Sequence, residues 1–374
     1  MHNRSLYAQT MVRFTVLASG SKGNSTVITG GRTRILVDAG LSCRELFRRM
    51  RLAGEEPETL DAILITHEHS DHINGLAVTA RKLGIPVYLT EGTHRAWMRW
   101  LTPRRQMTYA QWLEQCRKQA AERQAETEAA QFDPECEPDE IDVILASGHA
   151  ESYSVPDGAS QAAGEGTRAQ AADSASATQV AQIDPAGLPK DPTGLHKDST
   201  GLPKDPAWLP SVEYFQAGQP FEIGDIAVSP FTIPHDAADP VGFVFRSEGV
   251  RMAIATDLGY IPPNVKAQLK GLDLLLLESN HDLEMLRDGP YPWSVKQRVL
   301  SRVGHLSNEA AADFLENQYD GQAAYVILAH LSESNNLPEL ARVTAERALN
   351  GRASLLANKL LLAGQHEHLS AIDF

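Results

Sequence analysis

The chain has 374 residues, 42% hydrophobic and 22% charged, with a formal charge of −14. That size supports a sizeable core, and the balance of apolar and charged residues excludes a wholly disordered chain, a collagen and a coiled coil. No apolar run reaches the ~20 residues that span a bilayer. Three widely spaced cysteines, Cys43, Cys116 and Cys136, predict free thiols in a reducing cytoplasm and no disulfide framework. Residues 1–10 are polar and patternless and read as an N-terminal tail, with Met11 a second candidate start. They hold no apolar core followed by a small-residue cleavage site, which predicts no secretory leader. Val12–Leu17 reads as the first strand, followed by the turn-rich run Gly20-Ser21-Lys22-Gly23-Asn24-Ser25. Thr26–Thr29 and Arg34–Val37 are β-branched runs around a Gly-Gly turn and predict two more strands. Ser42–Arg51 reads as a capped helix, Asp61–Thr66 as a buried strand, Gly75–Leu83 as a helix and Pro86–Leu89 as another strand. This alternation predicts an α/β arrangement.

From about Arg104 the texture changes. Tyr109–Gln131 is Gln/Glu/Ala-rich and helical in pattern, Asp133–Asp142 is acidic, and Ala159–Val180 is poor in large apolar residues. Three short repeats follow: AGLPKDP at 186–192, TGLHKDS at 193–199 and TGLPKDP at 200–206. Their Pro and Gly content forbids a helix, so they predict a flexible linker, with docking of a protein partner the functional alternative. Gln131–Pro210 carries 14 acidic and 4 basic residues, hence −10 of the −14, and the remainder is only mildly acidic. Net charge therefore does not exclude a phosphate-bearing substrate. Order resumes near Val212 with strand-like runs that end in polar residues; Asn308–Gln318 predicts an amphipathic helix, and Ala345–Leu362 a final helical region. The organisation expected is a tail (1–10), a half-domain (11–104), an insertion (105–211) and a second half-domain (212–374).

The strongest chemical signal is Thr66-His67-Glu68-His69-Ser70-Asp71-His72, directly after the apolar run Ala62–Ile65. Three histidines and an aspartate within six residues at a strand's end form a metal-ligand pattern. Residues two apart in an extended segment point the same way. His67 and His69 can then share one metal, while Asp71 and His72, where the chain turns into a helix, can face a second.

THEHSDH resembles the signature of the metallo-β-lactamase superfamily. The resemblance implies an αβ/βα sandwich: two mixed β-sheets flanked by helices, here with a long, partly disordered insertion. It also implies further ligands, and His235 in IPHDAADPVGF, Asp257 in AIATDLG and His330 in VILAHLS stand in the required order. On that basis His67, His69 and His235 hold one metal, Asp71, His72 and His330 hold the other, and Asp257 bridges them. Asp38 in LVDAG matches a carboxylate that orients a ligand. Asp257 stands where B1 β-lactamases use cysteine, which disfavours antibiotic hydrolysis. His69 departs from the di-iron oxygen reductases, and Ile73-Asn74-Gly75 from the glyoxalase II-like enzymes. The runs FTVLASGSKGNST, ILVDAGLS, THEHSDHINGL, HDAADPVGF, TDLGY, LESNHD, GHLSNEAAA and LAHLSESNN resemble the YycJ/WalJ-type family, which is similar to the tRNase Z branch.

That resemblance implies a 5′-to-3′ exonuclease on duplex DNA, with two divalent ions, Zn or Mn, activating a hydroxide. No organic cofactor and no membrane association are implied. Asp71 or Asp257 would steer the nucleophile's proton. His305 in GHLSNEAAA would protonate the leaving oxygen, although Leu306 separates it from Ser307; Ser307 alternatively caps a helix. Asn280 and His281 in ESNHD are candidates to touch the scissile phosphate, and Ser19–Ser25 to offer it N–H groups and Lys22. His94, His149, His196, His366 and His368 read as surface residues. The alternatives are an RNA nuclease or small phosphodiester hydrolase on the same fold, and a non-catalytic metal-binding scaffold.

Overall fold

The structure, a computed structural model, describes residues 12–101, 208–350 and 359–374, with the isolated residues 114, 117 and 118. The tail, nearly all of the insertion with its repeats, Cys116 and Cys136 lie outside the described residues. By proximity the chain divides into two compact units, Met1–Pro103 with Thr193–Phe374, and Arg104–Pro192. The elements named below belong to the first.

Its first half runs β1 (Arg13–Ala18), β2 (Ser25–Thr29), β3 (Arg34–Val37), α1 (Cys43–Leu52), β4 (Ala62–Leu64), α2 (Ser70–Ile73), α3 (Leu76–Leu83), β5 (Val87–Leu89) and α4 (Glu91–Leu101). After the insertion come β6 (Val212–Tyr214), β7 (Phe221–Ile223), β8 (Ile226–Thr232), β9 (Val241–Ser247), β10 (Val250–Ala255) and α5 (Pro263–Gln268). The chain continues through β11 (Leu274–Glu278), α6 (Leu283–Asp288), α7 (Trp293–Val299), α8 (Asn308–Asn317), β12 (Tyr325–Ala329), α9 (Pro338–Asn350), β13 (Lys359–Leu362) and β14 (Ile372–Asp373).

The strands form two seven-stranded mixed sheets, ordered β14-β1-β2-β3-β4-β5-β6 and β13-β12-β11-β10-β9-β8-β7. Each sheet is antiparallel on one side and parallel on the other: β3 to β6 and β10 to β13 run parallel. The central parallel strands β4 and β11 are almost wholly apolar and buried because both of their faces are covered, whereas the edge strands β6 and β13 carry exposed residues. Side chains alternate across a strand, so each run divides between two cores. Ile35 and Val37 of β3, Ala62 and Leu64 of β4, Met252 and Ile254 of β10, and Leu274 and Leu276 of β11 meet between the sheets. Their neighbours Leu36 and Ile63 pack outward with Leu46, Phe47 and Met50 of α1 and Leu76 of α3. Ala253, Leu275 and Leu277 pack outward with Val265 of α5 and Phe314 and Leu315 of α8. The order of layers is helix, sheet, sheet, helix.

Most expected elements stand within a residue or two of their predicted ends. Helix α1 is capped by Ser42, whose side chain accepts from Glu45 N at 3.4 Å. The predicted helical region Ala345–Leu362 is corrected. Helix α9 begins at Pro338, a residue suited to a helix's first turn, and Lys359–Leu362 is a strand parallel to β12. A four-residue apolar run carries no helix-or-strand signal of its own; an open sheet edge decided it. The C-terminal β14 pairs with β1, and Arg13 Nε donates to Asp373 at 2.5 Å. Among the described residues, no helix is long and apolar enough to cross a membrane.

Phe243 is fully buried between the sheets against Phe215 and Phe245. Phe243→Ala should cost about 3–5 kcal/mol, read as a lowered urea midpoint, and Phe243→Leu should cost clearly less.

Candidate metal centre

The candidate site residues lie at or just beyond the ends of strands, with Asp71 and His72 on the short helix α2. Asp38 follows β3, the THEHSDH segment follows β4, His235 follows β8, Asp257 follows β10 and His330 follows β12. Three of these, Asp38 (φ 61°), Asp257 (φ 61°) and His330 (φ 56°), hold left-handed backbone. Among the described residues the one other non-glycine case, Glu248, lies in the β9–β10 turn. Such backbone costs a non-glycine residue of order 1 kcal/mol or more and persists where its surroundings enforce it. Here it turns a side chain off the strand's end and into the shared cluster.

The side chains converge as two principal groups, and Asp257 joins two more, one with His67 and His72 and one with Glu278, His305 and His330. His67, His69 and His235 place ligand atoms within 4.8 Å of one another, as do Asp71, His72 and His330. His235 Nε2 is 3.2 Å from His69 Nδ1. Asp71 Oδ2 lies 3.4 Å from both His72 Nε2 and His330 Nε2. Asp257 stands between the groups, with Oδ2 at 3.4 Å from His72 Nε2, and Oδ1 at 3.5 Å from His330 Nε2 and 4.0 Å from His235 Nε2. The buried atoms His67 Nε2 and Asp257 Oδ2 have no hydrogen-bond partner. Buried polar atoms are rarely left so, and these two point into the two groups. A set of imidazoles with carboxylates beside it therefore fits divalent cations.

The outer nitrogens of the rings are held. His72 Nδ1 lies 2.8 Å from Asp38 Oδ2, and Asp38 also accepts from Thr66 N and Oγ1. His235 Nδ1 lies 3.2 Å from Gly304 O. His330 Nδ1 lies 3.0 Å from Glu278 Oε1. Such contacts fix ring orientation and leave Nε2 for a metal. Glu278 was not singled out in the sequence. It closes the all-leucine run of β11, is fully buried, and accepts from Leu258 N at 2.8 Å. Its Oε1 also meets His305 Nδ1 at 2.7 Å. A carboxylate ending a buried apolar strand needs partners, and that was the signal available. Asn24 was also missed. Its Nδ2 donates to Asp71 Oδ2 at 3.0 Å.

Burial pushes the Asp257 carboxyl up, but the His330 and His72 rings outweigh this and hold it well below the usual range. Burial likewise opposes ionisation of Glu278, and His305 and His330 bring it down to about 2. His72 is driven down by burial yet held well above its ordinary value by Asp257, Asp71 and Asp38. Burial, reinforced by His72, keeps His67 far below its ordinary value and neutral. Cations entering this site displace protons, so affinity falls with acidity.

A cavity of about 350 Å³ opens on the cluster, lined by His69, Asp71, Asp257, His305 and His330 with Ser21, Ser70, Trp100 and Arg298. His305 thus stands at the cluster's open side, while Ser307 caps α8 through its bond from Ala310 N. The structure does not bring His281 to this cavity. It is 1% exposed, its backbone pairs with Ser307, and both ring nitrogens lack partners. Asn280 donates to His330 O at 2.8 Å and so holds the ligand's turn. The Ser19–Ser25 loop supports the site differently from expectation. The N–H groups of Ser19, Gly20, Lys22, Gly23 and Asn24 all bond within the protein, and Lys22 Nζ pairs with Glu333. Gly40 is required for the loop's close approach, since a Cβ there would lie 1.6 Å from Asp71 O. His366 is exposed and paired with Glu333, whereas His94 is half-buried against Tyr214 Oη at 2.7 Å; His149 and His196 lie outside the described residues.

Residues 18–149 match the family described as Metallo-beta-lactamase superfamily, and residues 198–331 match the Beta-lactamase superfamily domain. The chain is 29% identical over 338 residues to exodeoxyribonuclease YycJ of Bacillus anthracis, covering 90% of this chain and 89% of that protein. It is 28% identical over 332 residues to exodeoxyribonuclease WalJ of Streptococcus pneumoniae, covering 89% and 86%. Among solved structures it is similar in fold to the metallo-beta-lactamase fold protein YhfI of Bacillus subtilis, at 13% identity and TM-score 0.52 over 97% of this chain and 100% of that one. Zn(2+)-bound PqqB of Methylobacterium extorquens gives 14% identity and TM-score 0.50 over 96% and 99%.

Asp38→Ala frees the His72 ring and should weaken metal retention about 10–100-fold, measured by competition with a chromogenic chelator. His281 offers a pH test. Burial lowers its pKa to about 4, from 6.5. The unfolded chain therefore binds this proton first, and stability falls as pH drops from about 6.5 to 4. In urea denaturation across that window, His281→Leu should show a flatter profile than the parent protein.

Proposed function

The chain belongs to the metallo-beta-lactamase superfamily of hydrolases, and from that premise we propose that it is a dinuclear-metal phosphodiesterase acting as a 5′-to-3′ exonuclease on duplex DNA. The observation that supports the reading is a cluster of side chains able to hold metal, four of which, His69, Asp71, Asp257 and His330, line one cavity with the carboxylate-backed His305. His67, His69 and His235 would hold one cation, and Asp71, His72 and His330 the other, with Asp257 serving both. The imidazoles suit zinc, and the carboxylates also accept manganese. Bound cations would supply Lewis-acid polarisation of a phosphoryl oxygen and an acidified water.

The chain's own groups divide the proton work. Asp71 and Asp257 are held ionised and would steer an attacking water by accepting its hydrogen bond. The departing 3′-oxygen is a poor leaving group unless protonated. Glu278 Oε1 engages His305 Nδ1 at 2.7 Å and holds the ring, which leaves His305 Nε2 as the atom that would donate. The same Glu278 oxygen meets His330, so the proton donor and a metal ligand share one anchor. Two relatives named exodeoxyribonucleases support DNA as substrate, and the likeness of the flanking motifs to that family supports the 5′ polarity.

Duplex DNA labelled at one end or the other, with Mn²⁺ or Zn²⁺, tests this. Mononucleotides should leave the 5′ end, and chelator or Asp257→Ala should abolish their release. His305→Ala should lower kcat about 10²–10⁴-fold with metal content unchanged. Two bound metals without cleavage of DNA would overturn the exonuclease reading and favour RNA or small phosphodiesters.

A further inference from the structure

The cavity over the cluster has two walls that metal ligation does not explain. Trp100, in the last turn of α4, lines it yet is 71% exposed. A large indole held in water beside a polar cluster gains little from packing there, and among the described residues Trp97 supplies the buried aromatic of that helix. Arg298, on α7, lines the same cavity. Its Nε donates to Asp236 Oδ2, and Asp236 adjoins the ligand His235, with Oδ1 3.5 Å from that ring. Arg298 is thereby tethered beside the metal cluster.

From this placement we infer that Trp100 and Arg298 form a nucleotide clamp at the mouth of the metal cavity. The indole of Trp100 stacks on the base next to the scissile phosphate, and the guanidinium of Arg298 receives a neighbouring phosphate. Both chemistries suit a nucleic-acid strand. An aromatic face accepts any base without reading its sequence, and a guanidinium matches phosphate through paired N–H groups. A base lying flat on Trp100 is separated from its complement, so the clamp engages the frayed end of a duplex. The inference rests on the phosphodiesterase reading and names how that site takes its substrate. It also supplies a stacking residue that no motif in the sequence marked.

The test uses the metal-loaded full chain and duplex DNA whose terminal 5′ nucleotide carries either a base or an abasic sugar. With the normal end, Trp100→Ala should raise KM about 5- to 150-fold at nearly constant kcat, and Trp100→Phe should restore most of the loss. With the abasic end, wild type and Trp100→Ala should be alike. Arg298→Ala should raise KM on both ends, with Arg298→Lys in between. Equal KM for wild type and Trp100→Ala on the normal end would overturn the clamp while leaving the nuclease reading intact. If wild type fails to cleave, that reading falls, and fluorescence anisotropy with the same DNA decides the clamp separately. Weaker binding by Trp100→Ala on the normal end alone would support it, and equal binding would overturn it.

Discussion

Imidazoles and carboxylates are packed together at the shared edge of two apolar sheets, and that burial constrains the rest of the molecule. A buried ion is costly unless it is paired or coordinates a metal. Asp38, His67, His72, Asp257, Glu278 and His330 are all nearly inaccessible to water. Each carboxylate is therefore set against histidines, and the ring atoms left over gather in the groups that could hold a metal ion. The left-handed backbone at Asp38, Asp257 and His330 is the conformational cost of aiming those side chains. Apolar strands packed on both faces hold the strained residues in place.

The two halves solve the same problem with the same device. In the first sheet Asp38, at the end of β3, orients His72 on the neighbouring strand's loop. In the second, Glu278, at the end of β11, orients His330 after the neighbouring β12. Cross-ties then join the halves at the site. Ser19 Oγ accepts from His330 N, Glu68 Oε1 accepts from Ala238 N, and Val241 N donates to Thr66 O. Glu68, which lies between the proposed ligands His67 and His69, thus fastens the motif loop to the loop bearing His235. The positions of the ligands follow from sheet pairing as much as from the motif.

Glu278 carries more than orientation. One oxygen meets both His330 and His305, and the other accepts backbone N–H groups from Leu258 and Leu306. A single carboxylate thereby couples the proposed ligand His330, the residue after Asp257, and the proposed proton donor His305. Such networks hold catalytic groups at fixed spacing. On the cavity's outer rim the chain presents Arg298 and Trp100, where substrate can reach them without disturbing that network.

Much of this was legible in the chain alone. The period of side chains along strands, the capping serine at residue 42 and the compact THEHSDH spacing are local signals, because each depends on residues within a few positions of one another. With the family likeness of its flanks, the chain also marked Asp38, His235, Asp257, His305 and His330 as members of one site. Its residues could not show that Lys359–Leu362 pairs as a strand, that Glu278 anchors two histidines, that Lys22 is bound to Glu333, or that His281 lies away from the cavity. Those facts depend on partners tens or hundreds of residues distant. Local sequence determined which side chains could ligate, cap or pack; only the meeting of the two sheets decided which of them share a cavity, because burial and hydrogen bonding are properties of neighbours in space.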